Sequence, residues 1–132
     1  MAQKKVLVID DEPDVLTYIT SILKNNGYLY ATAKDGIDGM AKAKAEKPDI
    51  ITLDLLMPER TGIKLYRELK KDEELKGIPV IMVTGIASEA HQFADFKKFI
   101  YERNISAPEG YIEKPFKTEE LLEKIKQALG ER

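Results

Sequence analysis

The sequence of 132 residues predicts an α/β fold, a doubly wound five-stranded parallel sheet with helices on both faces, as a single domain over residues 1–132. Two observations carry this. Short continuous apolar runs alternate with longer runs of helical apolar spacing, five times along the chain. That alternation implies parallel strands joined by right-handed crossovers. The length suits one domain of roughly 100–150 residues, which buries enough surface to need no staples.

Val6-Leu7-Val8-Ile9 reads as a strand buried on both faces. It stops at Asp10-Asp11-Glu12-Pro13, where Pro13 fits the first turn of a helix. Val15, Leu16, Ile19, Ile22 and Leu23 recur at helical spacing, and Asn26-Gly27 ends the run. Tyr28 to Ala33 is a weaker strand, whose Tyr and Thr suggest a sheet edge. Asp35 is placed to begin a helix, and Ile37, Met40, Ala41 and Ala45 mark that helix, ending before Pro48. Asp49 to Leu53 is a third strand running into Asp54, and Thr61-Gly62 opens a third helix carrying Ile63, Leu65, Tyr66 and Leu69.

Gly77 and Pro79 precede a fourth strand, Val80 to Val83. Ser88-Glu89 is a plausible helix start ahead of Phe93, Phe96, Phe99 and Ile100. Tyr111-Ile112 is a short fifth strand before Lys114-Pro115. Thr118 is expected to cap a last helix, with Glu119 and Glu120 in its first turn and Leu121, Leu122, Ile125 and Leu129 on its inner stripe.

Composition narrows the function classes. The absence of Cys excludes a disulfide framework and thiolate zinc sites, and suits a reducing cytosol, so a cytoplasmic location is expected. A net charge of −2 gives no electrostatic reason to expect direct nucleic-acid binding. No apolar stretch approaches the ~20 residues that span a membrane, so no membrane insertion is expected.

In a doubly wound sheet, ligands bind beyond the carboxyl ends of the strands. The first strand ends in Asp10 and Asp11, the third in Asp54, the fourth in Thr84 and the fifth in Lys114. If the first and third strands are neighbours, Asp10, Asp11 and Asp54 share one cleft. Three close carboxylates raise one another's pKa unless a cation compensates. Mg2+ is the natural candidate, a hard ion that takes one or two carboxylates and completes its shell with water and phosphate oxygens. Lys114 and Thr84 add donors for a tetrahedral anion, so the implied chemistry is phosphoryl transfer.

These residues carry a family resemblance. The run Val6 to Pro13, Asp54 followed by Met57-Pro58 and Gly62, Val83-Thr84-Gly85, and Tyr111-Ile112-Glu113-Lys114-Pro115-Phe116 together resemble the receiver domain of two-component response regulators, over nearly the whole chain. The resemblance implies a stand-alone, chemotaxis-regulator-like receiver with the flavodoxin-like strand order 2-1-3-4-5, the order a member of this family illustrates. It implies a phosphorelay protein without an enzymatic function of its own. Asp54 would accept a phosphoryl group from a sensor histidine kinase or phosphotransfer protein. Asp11, Asp54 and the Leu56 backbone carbonyl would ligate magnesium, with Asp10 acting mainly through water. Thr84 would bind the phosphoryl group and Lys114 would pair with Asp54. Tyr111 would move with Thr84 as an aromatic switch, Gly85 would leave room for the phosphoryl group, and Lys114-Pro115 would be cis. A downstream protein partner would dock on the face made by helix four, strand five and helix five.

The same residues bear on two other readings. An aspartyl-nucleophile phosphatase or phosphotransferase of the haloacid-dehalogenase type would need a second Asp two residues after the nucleophile, where Leu56 stands. A flavin carrier would need a phosphate loop after the first strand, where Asp10-Asp11-Glu12 would repel phosphate. Tyr111 alone is also explained by packing, and lone His91 reads as a surface residue without a metal-spaced partner. Consecutive Phe99, Ile100 and Tyr101 cannot all face inward. Residues 85 to 113 form a longer connection than is usual in the family, so residues 96 to 110 are expected to contribute to a contact surface. The resemblance implies that the side chains two residues beyond Asp54 and Thr84 flank the path of an attacking water, and here apolar Leu56 and Ile86 would obstruct it and slow loss of the phosphoryl group. With the last helix ending at Gly130, an attached output domain is not expected.

Overall fold

A computed structural model describes residues 3–85 and 90–131, apart from the side chains of Arg60 and Ala90. Five strands, β1 (Lys5–Ile9), β2 (Leu29–Ala33), β3 (Ile50–Asp54), β4 (Val80–Thr84) and β5 (Gly110–Glu113), alternate with five helices. These are α1 (Pro13–Asn25), α2 (Gly36–Glu46), α3 (Thr61–Lys71), α4 (Ala90–Glu102) and α5 (Thr118–Ala128). All four strand pairings are parallel, in the order β2-β1-β3-β4-β5. The weak second strand is indeed at an edge.

Side chains alternate across the sheet with a period of two, which sorts the apolar residues into two cores. Leu7, Ile9, Ile51, Leu53, Val80 and Met82 face the side covered by α2, α3 and α4. Val6, Val8, Ile50, Ile81, Val83 and Ile112 face the side covered by α1 and α5. Burial on both faces is why the central strands read as unbroken apolar runs.

Helix ends follow local chemistry. Asp35 caps α2, its side chain accepting from the Asp38 N–H at 2.8 Å. Pro13 sits in the first turn of α1. Thr118, expected to cap the last helix, is instead its first helical residue. Lys117 holds the cap position and its N–H donates to Glu120 Oε1 at 3.3 Å, so the acid three residues on serves the exposed donor. The expected start of α4 at Ser88-Glu89 lies outside the described residues.

On α4, Phe96 and Ile100 are buried, while Tyr101 is 85% exposed. The crowding of three consecutive large residues is thus resolved by turning the tyrosine to solvent. Two side-chain hydrogen bonds help to tie down the segment from Arg103 to Glu109. Tyr66 Oη of α3 donates to the Ser106 carbonyl at 2.6 Å, and Glu109 Oε1 accepts from the Val80 N–H at 2.7 Å.

One side chain in this frame is unsatisfied. Thr52, in the middle of β3 and 1% exposed, has a hydroxyl with no hydrogen-bond partner among the described residues. An unpaired buried hydroxyl costs about 1–3 kcal/mol. Thr52→Val, which replaces it by a methyl of similar size, should raise the unfolding free energy by about 1 kcal/mol in urea titrations. A loss of stability would show that the hydroxyl is paired.

Candidate functional site

The register of the central strands sets the site. β1 pairs with β3 as far as Ile9 opposite Leu53, so the next residues, Asp10 and Asp54, stand side by side at the carboxyl edge. β4 pairs with β5 as far as Thr84 opposite Glu113, and the Lys114 N–H continues the ladder to the Thr84 carbonyl at 2.9 Å. The same alternation puts Asp10, Asp54 and Lys114 on the α1/α5 side of the sheet. Thr84 and Tyr111 are on the α4 side.

Asp10 and Asp54 are 1% and 3% exposed. Lys114 Nζ donates to Asp10 Oδ2 at 3.3 Å and lies 3.7 Å from Asp54 Oδ2 and 4.0 Å from Glu12 Oε1. One ammonium therefore serves three carboxylates, among them Asp54, with which the resemblance implied it would pair, and its shortest contact is with Asp10. Backbone donors hold the acids in place. The Glu12 N–H donates to Asp10 Oδ1 at 2.9 Å, and the Leu56 N–H donates to Asp54 Oδ1 at 3.1 Å.

Charge and burial shift all three groups. Burial raises Asp54 to about 6, with the neighbouring charge of Asp10 adding to it and Lys114 opposing. Burial raises Asp10 too, against the Glu12 N–H and Lys114. For Lys114 burial acts downward, but Asp54, Asp10 and Glu12 outweigh it and leave the ammonium above its usual value.

Asp10, Asp11 and Glu12 each place a carboxylate oxygen within 4.8 Å of the others. Glu12 is thus part of the acidic group, although the metal ligands expected from the sequence do not include it. The signal was present in the unbroken Asp-Asp-Glu run. Asp11 and Glu12 are exposed, so the crowding that relief of charge would ease falls on Asp54 and Asp10 rather than on Asp11. An all-oxygen donor set suits a hard divalent cation.

Gly62, near the start of α3, is backed against the chain that carries Asp54. A Cβ there would overlap the Asp54 carbonyl oxygen and come within 2.7 Å of the Leu55 carbonyl oxygen. Only glycine lets α3 approach this closely. Leu56, beside the acid, is half-buried, while Ile86 lies outside the described residues.

On the α4 side, Thr84 is 8% exposed and its hydroxyl donates to the Ile112 carbonyl at 3.4 Å. Tyr111 is half-buried, its ring 5.1 Å from that of Phe93 in an edge-to-face contact, with Lys97 Nζ 4.5 Å from the Phe93 centroid. Tyr111 therefore packs on α4. Gly85 follows Thr84 and the Lys114–Pro115 peptide is cis. His91 is a surface residue of α4, 3.5 Å from Asp95.

The raised pKa of Asp54 has a consequence for stability. The folded chain binds this proton more tightly than the unfolded chain, so stability falls as pH rises from the ordinary carboxylate range through about 6, and the loss is complete above it. Without divalent cations, Asp54→Asn should stabilise the fold at pH 7.5 by about 1–3 kcal/mol, at 1.36 kcal/mol per pKa unit. The gain should shrink to near zero by about pH 4. A pH-independent difference in denaturation midpoints would contradict the charge origin of the effect.

Comparison with known proteins agrees with this geometry. Residues 6–126 match the family model of the response regulator receiver domain. Protein PilH of Pseudomonas aeruginosa is 34% identical over 126 residues, covering 96% of this chain and 98% of PilH. Three further relatives, two transcriptional regulatory proteins and a hybrid histidine kinase, are longer, and the chain spans 48%, 48% and 7% of them. Among solved structures, a CheY-like receiver domain protein from Methanospirillum hungatei superposes with a TM-score of 0.80 at 30% identity, over 98% of this chain and 95% of the other. The receiver domain of sensor histidine kinase PA1611 from P. aeruginosa, with a magnesium ion coordinated in its active-site cleft, superposes with a TM-score of 0.79 at 26% identity, over 98% and 99%. With its strand order, its paired buried acids and this match along nearly its whole length, the chain belongs to the response regulator receiver domains of two-component signalling.

Proposed function

We propose that Asp54 accepts a phosphoryl group from the phosphohistidine of a sensor kinase or phosphotransfer protein, and that the modified site switches a partner-binding face. The observation that carries this reading is the placement of Asp54, which lies buried beside Asp10 and shares the Lys114 ammonium. A carboxylate oxygen of Asp54 attacks phosphorus, the bond to the donor nitrogen breaks, and an acyl phosphate forms. Asp10, Asp11, Asp54 and the Leu56 carbonyl would hold Mg2+, with Glu12 at the rim of the same acidic group. When bound, the ion supplies positive charge to the transferring phosphoryl oxygens and relieves the crowded acids. The magnesium in the cleft of the PA1611 receiver supports this assignment.

Lys114 is 22% exposed at the mouth of the cleft, so its ammonium is available to an entering anion. Thr84 would exchange its present acceptor, the Ile112 carbonyl, for a phosphoryl oxygen. That exchange loosens a contact between β4 and β5 on the side where Tyr111 meets Phe93. The switch would thereby reach the face formed by α4, β5 and α5, which we assign to the downstream protein partner.

Leu56 adjoins the acceptor and cannot orient a water, so the phosphorylated protein should lose its phosphoryl group slowly. One assay tests both points. Intact-protein mass spectrometry after incubation with acetyl phosphate and magnesium should show a single phosphoryl group on the wild type and none on Asp54→Asn. Its decay should quicken ~10-fold, about 1.4 kcal/mol of barrier, in Leu56→Asn. Equal uptake by Asp54→Asn would place the nucleophile elsewhere, and unchanged decay in Leu56→Asn would remove the obstruction argument.

A further inference from the structure

The opposite pole of the sheet holds a second polar site with the reverse charge. Helices in this fold run antiparallel to the strands, so the ends of α3 and α4 meet beside the starts of β4 and β5. Between them lies a cavity of about 310 Å3 lined by Lys70, Lys71, Lys76 and Arg103, with Asn104 and Ser106 on its wall. No acidic residue lines it among the described residues. Two carboxylates lie near its cations. Glu109 Oε1 is 3.7 Å from Lys70 Nζ, and Glu73 Oε2 is 2.8 Å from Lys76 Nζ. Lys71 and Arg103 are exposed and form no ion pair among the described residues. The cavity therefore has two positive charges in excess.

Lys70 is the unusual member. Its side chain is only 8% exposed. Its ammonium has three protons to donate. Glu109 is beyond hydrogen-bond distance and Glu109 Oε1 already accepts from the Val80 N–H at 2.7 Å. Among the described residues the one acceptor in range is the Lys76 carbonyl, at 3.5 Å, and the face of Tyr66 lies 5.6 Å away. A nearly buried cation with one long ion pair and such sparse hydrogen bonding keeps donors unspent. Lysines near a helix carboxyl end are favoured by the dipole, which accounts for Lys70 and Lys71 in the last turn of α3. It accounts neither for Lys76 beyond that helix nor for the burial of Lys70.

The walls are also fixed before any ligand arrives. Tyr66 Oη clamps the Ser106 carbonyl at 2.6 Å, and Asn104 adopts the left-handed backbone, φ 55°, that asparagine tolerates better than most residues. A preformed cavity with excess positive charge and unspent donors fits a compact, multiply charged oxyanion. The geometry points to a binding site for a small phosphate-bearing anion of about pyrophosphate size, at the pole remote from Asp54. The acceptor site captures a phosphoryl group covalently, whereas this one would hold its ligand by reversible ion pairing.

The test is a 15N–1H NMR titration of the full chain with sodium pyrophosphate, at constant ionic strength and without divalent cations. Saturable shifts are expected in residues 70–76 and 103–106, half-complete at about millimolar ligand or below. The exposed charge reversals Lys71→Glu and Arg103→Glu together should weaken binding at least tenfold. The milder pair Lys71→Ala and Arg103→Ala, checked for native circular dichroism, should weaken it several-fold. Shifts that rise without saturating, that centre on Lys114, or that persist in both variants would overturn the assignment. So would saturable binding of a glutamate-rich peptide with no response to pyrophosphate.

Discussion

Asp10 and Asp54 are both nearly cut off from water, stand side by side, and share the ammonium of Lys114. Like charges in a poorly solvated place oppose ionisation, and one lysine offsets only part of that. The strain is held by structure around it. The β1–β3 register fixes the two acids as neighbours, backbone N–H groups of Glu12 and Leu56 fix their orientation, and the bare Gly62 lets α3 press against the chain behind Asp54. Such an arrangement is least stable when empty and charged. Ligands that bring positive charge, or a modification that changes the charge of Asp54, act on stored electrostatic energy rather than creating a new interface from nothing.

The two faces of the sheet divide the work. Asp10, Asp54 and Lys114 share the α1/α5 parity, while Thr84 and Tyr111 share the parity facing α4. In the proposed switch Thr84 would link the charged trio to the α4 face, because it ends β4 just beyond Val83, the partner of Asp54, yet donates across to β5. The edge-to-face contact of Tyr111 with Phe93, overlaid by Lys97, lies on that same α4 side.

Much of this was legible in the sequence for a physical reason. Strands buried on both faces must be apolar throughout, so Val6 to Ile9, Ile50 to Leu53 and Val80 to Val83 announce themselves. A polar residue directly after such a run has to face something, which singled out Asp10, Asp54 and Thr84. Helix starts were harder. Thr118 has the chemistry of a cap, but the acid at Glu120 satisfies the preceding N–H and the helix starts one residue earlier than a Thr cap would place it. The preference of Lys114 for Asp10 over Asp54 depends on side-chain reach across the cleft, which no linear pattern encodes. The basic cavity was equally hidden. Its cations come from α3, the turn after it, and the segment after α4, and only the parallel topology gathers them at one pole.

The electrostatic crowding at Asp54 is open to direct observation by 13C NMR of its side-chain carboxyl, titrated in metal-free buffer and again with magnesium. A midpoint near 6 without metal is expected, moving down on addition of magnesium. A midpoint in the ordinary carboxylate range in both buffers would contradict the description of Asp54 as a buried acid crowded by Asp10.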